Sequence, residues 1–339
     1  MNLYEEISKQ EELENIELLA QMGIEVKTRL KKENFVKKDY INDNIAHIPN
    51  FAIPDMCFES LSIERINEGI NSILQKNLIK KFDYNEWRTQ NKYEPIDFDE
   101  VIEVLNKFNT NIDNNNMEAY SIHEVNSKIY CLKEEVMPIK NFLKENNFIE
   151  LSMGYGSSFT LELPYSNSSF LCLNKDEDRF EKSVYYLHEL GHVHHNYSKF
   201  RRKMLTSIET DEKAAHIVEY YLVRNIFNVD MMSHYIKLLY DRLYNSTLLT
   251  LFQSEVYQNP NIYQTLSEKQ VLFDNLKTYV SNDAFDTSNL SWAYEFQMIQ
   301  YPFYSGAYIY PILDVIKSII NKDYVDLSLE NMLKLIYLN

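Results

Sequence analysis

Glycine, proline and cysteine are all scarce in this chain of 339 residues, which has 6 Gly, 8 Pro and 3 Cys. Sandwiches of short strands need frequent turn residues, so the scarcity argues against an all-β fold and favours long helices. Cys57, Cys131 and Cys172 are widely spaced and form no Cys-x-x-Cys motif. Their number and spacing argue against a disulfide framework or a thiolate zinc site and favour buried thiols.

The chain also lacks the segments that would direct it to a membrane. Its first residues show no basic stretch followed by an apolar core, and no apolar run approaches the roughly 20 residues that span a bilayer. Acidic residues outnumber basic ones, 50 to 34, for a formal net charge of −16. A field of that sign repels phosphate backbones and anionic membrane surfaces. We therefore expect a cytoplasmic protein that binds neither nucleic acid nor membrane; the oligomeric state stays open.

Apolar and aromatic residues, in contrast, are abundant. Hydrophobic residues make up 45% of the chain and aromatic residues 14%, with 26 Tyr and 18 Phe. This composition is typical of globular proteins with a sizeable core. One linker-like stretch, the asparagine-rich segment 109–116, interrupts it. We predict a helical N-terminal region over residues 1–116 and a second domain over residues 117–339.

Hydrophobic periodicity predicts a mostly α fold (α+β) in which one small sheet precedes a pair of helices. The predicted strands are 148–153, 158–163 and 169–173. A helix with start signals from residue 176 and a helix over 206–227 form the pair that follows the sheet. The other predicted helices are 3–32, 60–76, 97–108, 121–146, 231–252, 267–281, 292–300 and 311–322.

The helix after the sheet carries the most specific motif, His-Glu-x-x-His, formed by His188, Glu189 and His192. Two imidazoles four residues apart lie on one face of a helix, close enough to share a metal ion. Neutral imidazole nitrogens suit zinc, and a zinc ion with an open position lowers the pKa of a water molecule to near neutral. Glu189 is placed to accept that water's proton. We therefore predict one Zn²⁺ ion held by His188 and His192.

A catalytic zinc ion usually has three protein ligands, and the next helix offers carboxylates for the third position. Glu212 comes far enough after the motif for the chain to turn and return, and the adjacent Asp211 is the competing ligand. Glu219 shares a helix face with Glu212. We predict that Glu219 hydrogen-bonds a metal-binding imidazole and fixes its orientation; the alternative is a solvated helix face.

Further residues around the motif lead to structural expectations. Gly191 costs helix stability relative to Ala, so we expect another element to approach closely there. His194 and His195 point to other helix faces than the two motif histidines, which predicts surface positions or contacts around the metal ligands. Thr206 and Glu209 match a capping box, which predicts that the second helix opens there.

Three blocks around these residues resemble the M3 family of zinc metallopeptidases, the group of oligopeptidase F and thimet oligopeptidase. Residues 163–174 resemble a strand that ends in Asn shortly before the metal helix. Residues 187–198 resemble the family's His-Glu-Leu-Gly-His-x-x-His-x-Tyr-x-Ser run, although the spacing after His192 departs from it. Residues 212–219 resemble Glu-x-x-Ser-x-x-Asn-Glu, with Ala215 for Ser and Val218 for Asn. The resemblance implies a zincin-type catalytic domain and Glu212 as the third ligand.

A fourth block, residues 301–310, resembles the family's C-terminal Phe-Tyr-x-Tyr region, whose tyrosines face the scissile carbonyl. The resemblance implies that Tyr304 or Tyr308 donates to the developing oxyanion, with Tyr310 a weaker candidate. The alternative is that these aromatic residues belong to the core. The family's histidine ahead of the tyrosines is missing, since no histidine follows His234.

The resemblance implies a metalloendopeptidase that hydrolyses peptide bonds in short or unfolded peptides bound along the edge of the small sheet. It covers residues 158–320, and the chain is short for the family. The missing length favours a more open cleft and one dedicated peptide or protein segment as substrate. Two alternatives stay open: a regulatory metalloprotease like the ImmA/IrrE group, and a zinc-stabilised binding protein that has lost turnover, which the missing histidine supports.

Overall fold

The structure is a computed structural model, which describes residues 3–21, 24, 63–75, 83–90, 93–107, 119–151, 158–175, 179–280, 292, 303–323 and 327–337. Within these ranges the fold is mostly α with one small sheet, as predicted. The strands are β1 (Phe148–Leu151), β2 (Phe159–Leu163) and β3 (Ser168–Asn174). The helices are α1 (Leu3–Gln21), α2 (Ile63–Gln75), α3 (Tyr84–Gln90), α4 (Phe98–Asn106), α5 (Ile122–Cys131), α6 (Met137–Glu145), α7 (Arg179–Arg202), α8 (Ile208–Ile226), α9 (Val229–Gln258), α10 (Leu266–Val280), α11 (Ile309–Asn321) and α12 (Leu329–Tyr337). Short 3₁₀ helices cover Glu134–Val136 and Tyr304–Tyr308.

Local sequence signals account for several of the helix boundaries. Asp97 caps α4 by accepting a hydrogen bond from the backbone of Glu100. Ser121 and Glu124 form a capping box at the start of α5. The single helix predicted over 121–146 is in fact two helices, because α5 ends at Cys131 and Pro138 lies in the first turn of α6. Proline has no backbone N–H to donate, so it begins a helix more readily than it continues one.

The start of α8 also differs from the prediction by one residue. The N-cap is Ser207, whose hydroxyl accepts from the backbone N–H of Thr210. Thr206, the predicted cap, instead donates its hydroxyl to the carboxylate of Asp211. The tertiary contact of Thr206 therefore decides between two neighbouring residues that are both good caps.

The three strands form a sheet of order β1-β3-β2, in which β1 is parallel and β2 antiparallel to β3. Successive side chains of β3 point to opposite faces of the sheet and join two different apolar clusters. Leu171 and Leu173 face the large core with α7, whereas Phe170 and Cys172 join a smaller cluster with Leu19 of α1. Among the described strands, β2 is an edge strand with β3 on one side only.

The large core draws side chains from both sides of the predicted domain boundary. Ile66 and Ile70 of α2 and Leu105 of α4 belong to the same cluster as Leu187 and Leu190 of α7. The boundary at residues 116 and 117 lies outside the described residues, and the division into two domains stays a prediction. The predicted helix 292–300 also lies outside them apart from Trp292.

The cysteines occupy different environments. Cys172 is buried in the sheet, but Cys131 is exposed at the last residue of α5, so the prediction of buried thiols is wrong for Cys131. Cys57 lies outside the described residues.

None of the helices that the structure describes combines the length and the apolar character needed to cross a membrane.

Candidate metal centre and cleft

The centre of the molecule is the contact between α7 and α8, where their backbones come unusually close at Gly191. A Cβ atom built on Gly191 would lie 2.5 Å from the carbonyl oxygen of Ala215 and 2.8 Å from its Cα atom. No side chain fits in that space, so only glycine allows the approach. The expectation that another element comes close at Gly191 is confirmed.

This close contact brings three side chains from the two helices together. The Nε2 atoms of His188 and His192 lie 3.3 and 3.5 Å from Oε2 of Glu212. The three donor atoms are within 4.8 Å of one another. Two zinc ligands at bond lengths of about 2.0–2.1 Å and a tetrahedral angle lie about 3.3–3.4 Å apart. The two distances from the nitrogens to Glu212 therefore match edges of a tetrahedral zinc site, and the two nitrogens lie within 4.8 Å of each other.

Two buried oxygens at this position need a positively charged or hydrogen-bonding partner. Oε2 of Glu212 and Oε2 of Glu189 are buried and make no hydrogen bond among the described residues. Glu212 is 3% exposed and Glu189 6%. The two imidazoles at 3.3 and 3.5 Å are ionic partners of Glu212 only while they are protonated, and a divalent cation between the three groups would take the place of those protons. The donor set of two imidazoles and one carboxylate thus fits a zinc ion, with Glu189 next to it.

Glu219 lies behind the donor group rather than on a solvated face. It is fully buried, and its Oε2 lies 2.7 Å from Nδ1 of His188. Arg242 of α9 contacts both carboxylate oxygens of Glu219. Burial alone would raise the pKa of Glu219, but Arg242 and the neighbouring histidines hold it well below the usual value. Glu219 is therefore ionised and can accept a hydrogen bond from Nδ1 of His188.

Glu212 and Glu219 both raise the pKa of His188. Burial opposes a positive charge on His188, yet its contacts with Glu212 and Glu219 raise its pKa to about 10. A metal ion at Nε2 must displace the proton held there, so metal binding is coupled to proton release. His216, one turn before Glu219, is also buried, and burial lowers its pKa to about 4.

A cleft of about 230 Å³ opens beside the donor group. One wall is β2, whose Thr160 donates its hydroxyl to the backbone carbonyl of Glu189 at 3.2 Å. The opposite wall is the 3₁₀ helix with Tyr304 and Tyr308. The lining residues are Ser158, Phe159, Thr160, Glu162, His188, Glu189, His192, Asn196, Ile208, Asp211, Glu212, Tyr304 and Tyr308. An edge strand next to a candidate metal site offers backbone groups to an extended peptide.

The two tyrosines are linked to the donor group and to each other. The Tyr304 hydroxyl lies 3.4 Å from Oε1 of Glu212, and the Tyr308 hydroxyl donates to that of Tyr304 at 3.0 Å. Burial, reinforced by the charge of Glu212, raises the pKa of both phenols. Both hydroxyls therefore stay protonated and able to donate near neutral pH. Tyr310 instead contacts the backbone of Pro95 outside the cleft.

Phe303, directly before the 3₁₀ helix with Tyr304 and Tyr308, has a strained backbone conformation. Phe303 has φ of 65°, in the left-handed region that bulky residues avoid. The ring of Tyr84 stacks on it at 4.4 Å, and its backbone N–H donates to Gln253. A Cβ atom on Gly306 would lie 2.1 Å from the Tyr84 hydroxyl oxygen. Helix α3 in the N-terminal half therefore supports the wall that carries Tyr304.

Asp211 and the two additional histidines do not join the three donors. Asp211 lies 2.8 Å from Nε2 of His195 and 3.2 Å from Nζ of Lys199. His194 contacts the backbone carbonyl of Glu135. Both histidines are buried, so the surface positions considered for them are wrong. They face other elements because residues 194 and 195 project from α7 in directions different from that of the motif.

Sequence reasoning missed Arg242 and Thr160, which support the site from α9 and β2. Neither residue lies in a motif or at a diagnostic spacing from the histidines. Only their position in the fold brings them to Glu219 and Glu189. The prediction that Glu219 contacts a metal-binding imidazole implies a buried carboxylate. A buried carboxylate needs a cation nearby, and this was the available signal for Arg242.

No protein-family model matches the sequence, and no curated protein sequence matches it. Two solved structures have a similar fold. One is a protein provisionally described as oligoendopeptidase F, with a TM-score of 0.50, 13% identity, and coverage of 98% of this chain and 58% of that chain. The other is PZ peptidase A with an inhibitor, with a TM-score of 0.51, 14% identity, and coverage of 88% and 52%. The chain spans a little over half the length of these two chains, and it shares their fold.

Proposed function

We propose that this protein is a zinc-dependent metalloendopeptidase of the M3 type that cleaves short or unfolded peptides. His188, His192 and Glu212 would hold one Zn²⁺ ion. The observation that carries the proposal is the meeting of two imidazole nitrogens with one carboxylate oxygen, at 3.3 and 3.5 Å, inside a cleft. The likeness of fold to two peptidases supports the same chemistry.

A Zn²⁺ ion held by His188, His192 and Glu212 would supply Lewis-acid chemistry, which makes a water molecule more acidic and a carbonyl more electrophilic. Glu189 would accept the proton of the attacking water at Oε2, a buried oxygen that makes no hydrogen bond within the described part of the chain. Glu189 then delivers that proton to the leaving amine. Tyr304 donates a hydrogen bond to the oxyanion, and Tyr308 donates to Tyr304 and holds its hydroxyl in place.

The substrate would lie extended along β2 and add its backbone to the edge of the sheet. Backbone pairing tolerates many sequences, so selectivity would come from the side chains and the charge of the cleft. The chain lacks much of the length of the two similar structures. We further propose one dedicated peptide or protein segment as the substrate.

Metal content and turnover test the proposal together. The purified protein should contain about one zinc ion per chain and should cleave a quenched fluorescent peptide, and a chelator should abolish cleavage until zinc is restored. Glu189→Gln should keep the zinc and lower kcat by about 10²–10⁴-fold, because it removes the base. Glu181→Gln, an exposed change on the same helix, is the matched control and should be fully active.

Each failure has its own meaning. A protein that binds zinc but cleaves no peptide would favour a binding protein that has lost turnover. A Glu189→Gln variant as fast as the wild type would remove Glu189 from its proposed role. A protein that binds no zinc at all would refute the proposed function as a whole.

A further inference from the structure

We propose that Arg242 is a positioning residue for the zinc site, and that it acts through Glu219 on His188. The inference rests on the proposed zinc site. The contacts form a continuous chain from α9 to the donor group. Nη1 of Arg242 donates to Oε1 and Oε2 of Glu219 at 3.1 and 3.2 Å. Oε2 of Glu219 lies 2.7 Å from Nδ1 of His188, whose Nε2 faces Glu212.

The orientation of His188 depends on the second link of this chain. A neutral imidazole has one donor nitrogen and one acceptor nitrogen. When Nδ1–H donates to Glu219, the lone pair of Nε2 points at the metal position and the hydrogen bond restrains rotation of the ring about the Cβ–Cγ bond. Such a hydrogen bond behind a histidine ligand sets both its tautomer and its direction.

Glu219 itself needs a restraint, because it has more than one possible partner. Nδ1 of His216, on the preceding turn of α8, lies 3.3 Å from the same Oε2 atom. A carboxylate drawn towards His216 would turn away from His188. One nitrogen of Arg242 donates to both oxygens of Glu219 and so restrains the carboxylate from turning towards His216.

Arg242 is well suited to this role because it is itself held in place. Its side chain is 14% exposed, and its guanidinium lies 4.6 Å from the centre of the Tyr185 ring. Glu219 is 0% exposed, so its negative charge depends on a buried positive partner. Within the part of the chain that the structure describes, Arg242 is the Lys or Arg residue that forms an ion pair with Glu219.

The test is the zinc affinity of the whole protein, measured by competition with a coloured chelator, for Arg242→Met, Arg242→Lys, Glu219→Gln and the double variant Glu219→Gln/Arg242→Met. We expect Arg242→Met to weaken zinc binding about 10–100-fold. Arg242→Lys should recover most of the affinity, because a single nitrogen makes both contacts and an ammonium can replace it. In the Glu219→Gln background the Arg242→Met change should have almost no further effect.

Arg88→Met is the matched control for loss of a buried ion pair on α8. Arg88 is 1% exposed and pairs with Glu209 of α8 at 2.8 Å, and neither residue belongs to the group of three donors. This variant should lose thermal stability and keep its zinc affinity. If Arg242→Met does not fold, Arg242→Gln takes its place in the same cycle, because an uncharged amide also removes the ion pair with Glu219.

The outcomes separate the two proposals. If the wild type binds no zinc, the proposed function fails and the inference fails with it. If the wild type binds zinc and Arg242→Met, or Arg242→Gln in its place, binds it within twofold, only the inference is overturned. Losses that simply add in the double variant would also overturn it, because they would mean that Arg242 acts independently of Glu219.

Discussion

His188 has a carboxylate close to each of its ring nitrogens, and this arrangement is the most constrained feature at the scale of single residues. Glu212 lies 3.3 Å from Nε2, and Glu219 lies 2.7 Å from Nδ1. The sequence motif predicts that His188 and His192 share one face, and the structure brings them together with Glu212. Their role as zinc ligands stays a prediction, for which the chelator experiment is the direct test.

The two tyrosines of the cleft should differ in their effect on catalysis. Tyr304 lies 3.4 Å from Glu212, whereas Tyr308 contacts the hydroxyl of Tyr304. We expect Tyr304→Phe to lower kcat by about 10²–10³-fold with little change in KM, because it removes an oxyanion donor. Tyr308→Phe should cost less, since it removes only the support of that donor. Steady-state kinetics measure both effects.

Tyr310→Phe is the control for that pair, because its hydroxyl contacts the backbone of Pro95 outside the cleft. It should leave kcat unchanged. A larger loss for Tyr308→Phe than for Tyr304→Phe would exchange the two roles.

Glu11 of α1 should make stability depend on pH. Burial, followed by the charge of Glu162, raises its pKa from 4.5 to about 7. The folded protein therefore binds this proton more tightly than the unfolded chain does, and Glu11 increasingly opposes folding as the pH rises from 4.5 to 7. Glu11→Gln should raise the free energy of unfolding clearly at pH 8 and only slightly at pH 5. Urea unfolding at the two pH values measures this.

Glu17→Gln serves as the control for that measurement, since Glu17 is exposed on the same helix. It should change the free energy of unfolding equally little at both pH values. An effect of Glu11→Gln that is larger at pH 5 would contradict the assignment.

At the scale of elements, the backbone contact between α7 and α8 positions the donors. His188 and His192 lie on α7 and Glu212 on α8, so the separation of the helices sets the distance between the nitrogens and the oxygen. Gly191 permits the contact, and its place in the motif predicts a close approach without predicting the partner. Only the fold identifies Ala215 as that partner.

Gly191→Ala should therefore weaken both the fold and the metal site. In an isolated helix, alanine is more stable than glycine by about 1 kcal/mol. Here, however, a Cβ atom 2.5 Å from the backbone oxygen of Ala215 would force the two helices apart. Overpacking of this kind costs about 1–3 kcal/mol, so we expect a net loss of stability. Thermal unfolding and chelator competition should show a lower Tm and a weaker zinc affinity.

A second change checks the cause of that effect. The atoms in the way are backbone atoms of Ala215, so Gly191→Ala/Ala215→Gly should be no more stable than Gly191→Ala. A double variant that recovers the wild-type Tm would place the clash on the side chain instead.

At the scale of the whole molecule, both the chain and the lining of the cleft are rich in acidic side chains. The net charge is −16, and the cleft is lined by the carboxylates of Glu162, Glu189, Asp211 and Glu212. Among the described residues that line it there is no Lys or Arg. A zinc ion would offset part of this charge, but the remaining field attracts cations. Lys199 pairs with Glu162 and Asp211, but Glu189 and Glu212 keep the cleft acidic, so we expect the proposed peptidase to cleave basic peptides faster than acidic ones.

Two peptides that differ only in the residues flanking the scissile bond test this preference. The peptide flanked by Lys should have a kcat/KM about tenfold higher than the peptide flanked by Glu at low ionic strength. The difference should shrink at 0.5 M salt, because salt screens charges that lie more than a few ångströms apart. A peptide flanked by Gln is the control and should show little dependence on salt. Faster cleavage of the acidic peptide would contradict the prediction.

The sequence by itself determines the chemistry available and the kind of fold. The spacing of His188 and His192 is a local property of one helix, and the scarcity of glycine and proline together with the hydrophobic periodicity is enough to predict a mostly α fold with a small sheet. Helix starts such as those at Asp97 and Ser121 follow from side chains that bond to backbone a few residues away.

Only the tertiary structure decides what surrounds those residues. It brings Arg242 to Glu219, makes β2 the edge strand beside the cleft, and moves the cap of α8 from Thr206 to Ser207. It also directs His194 and His195 inward. These features depend on contacts between residues far apart in the chain, and no local spacing encodes such contacts, so they become visible only when the helices and the sheet are packed together.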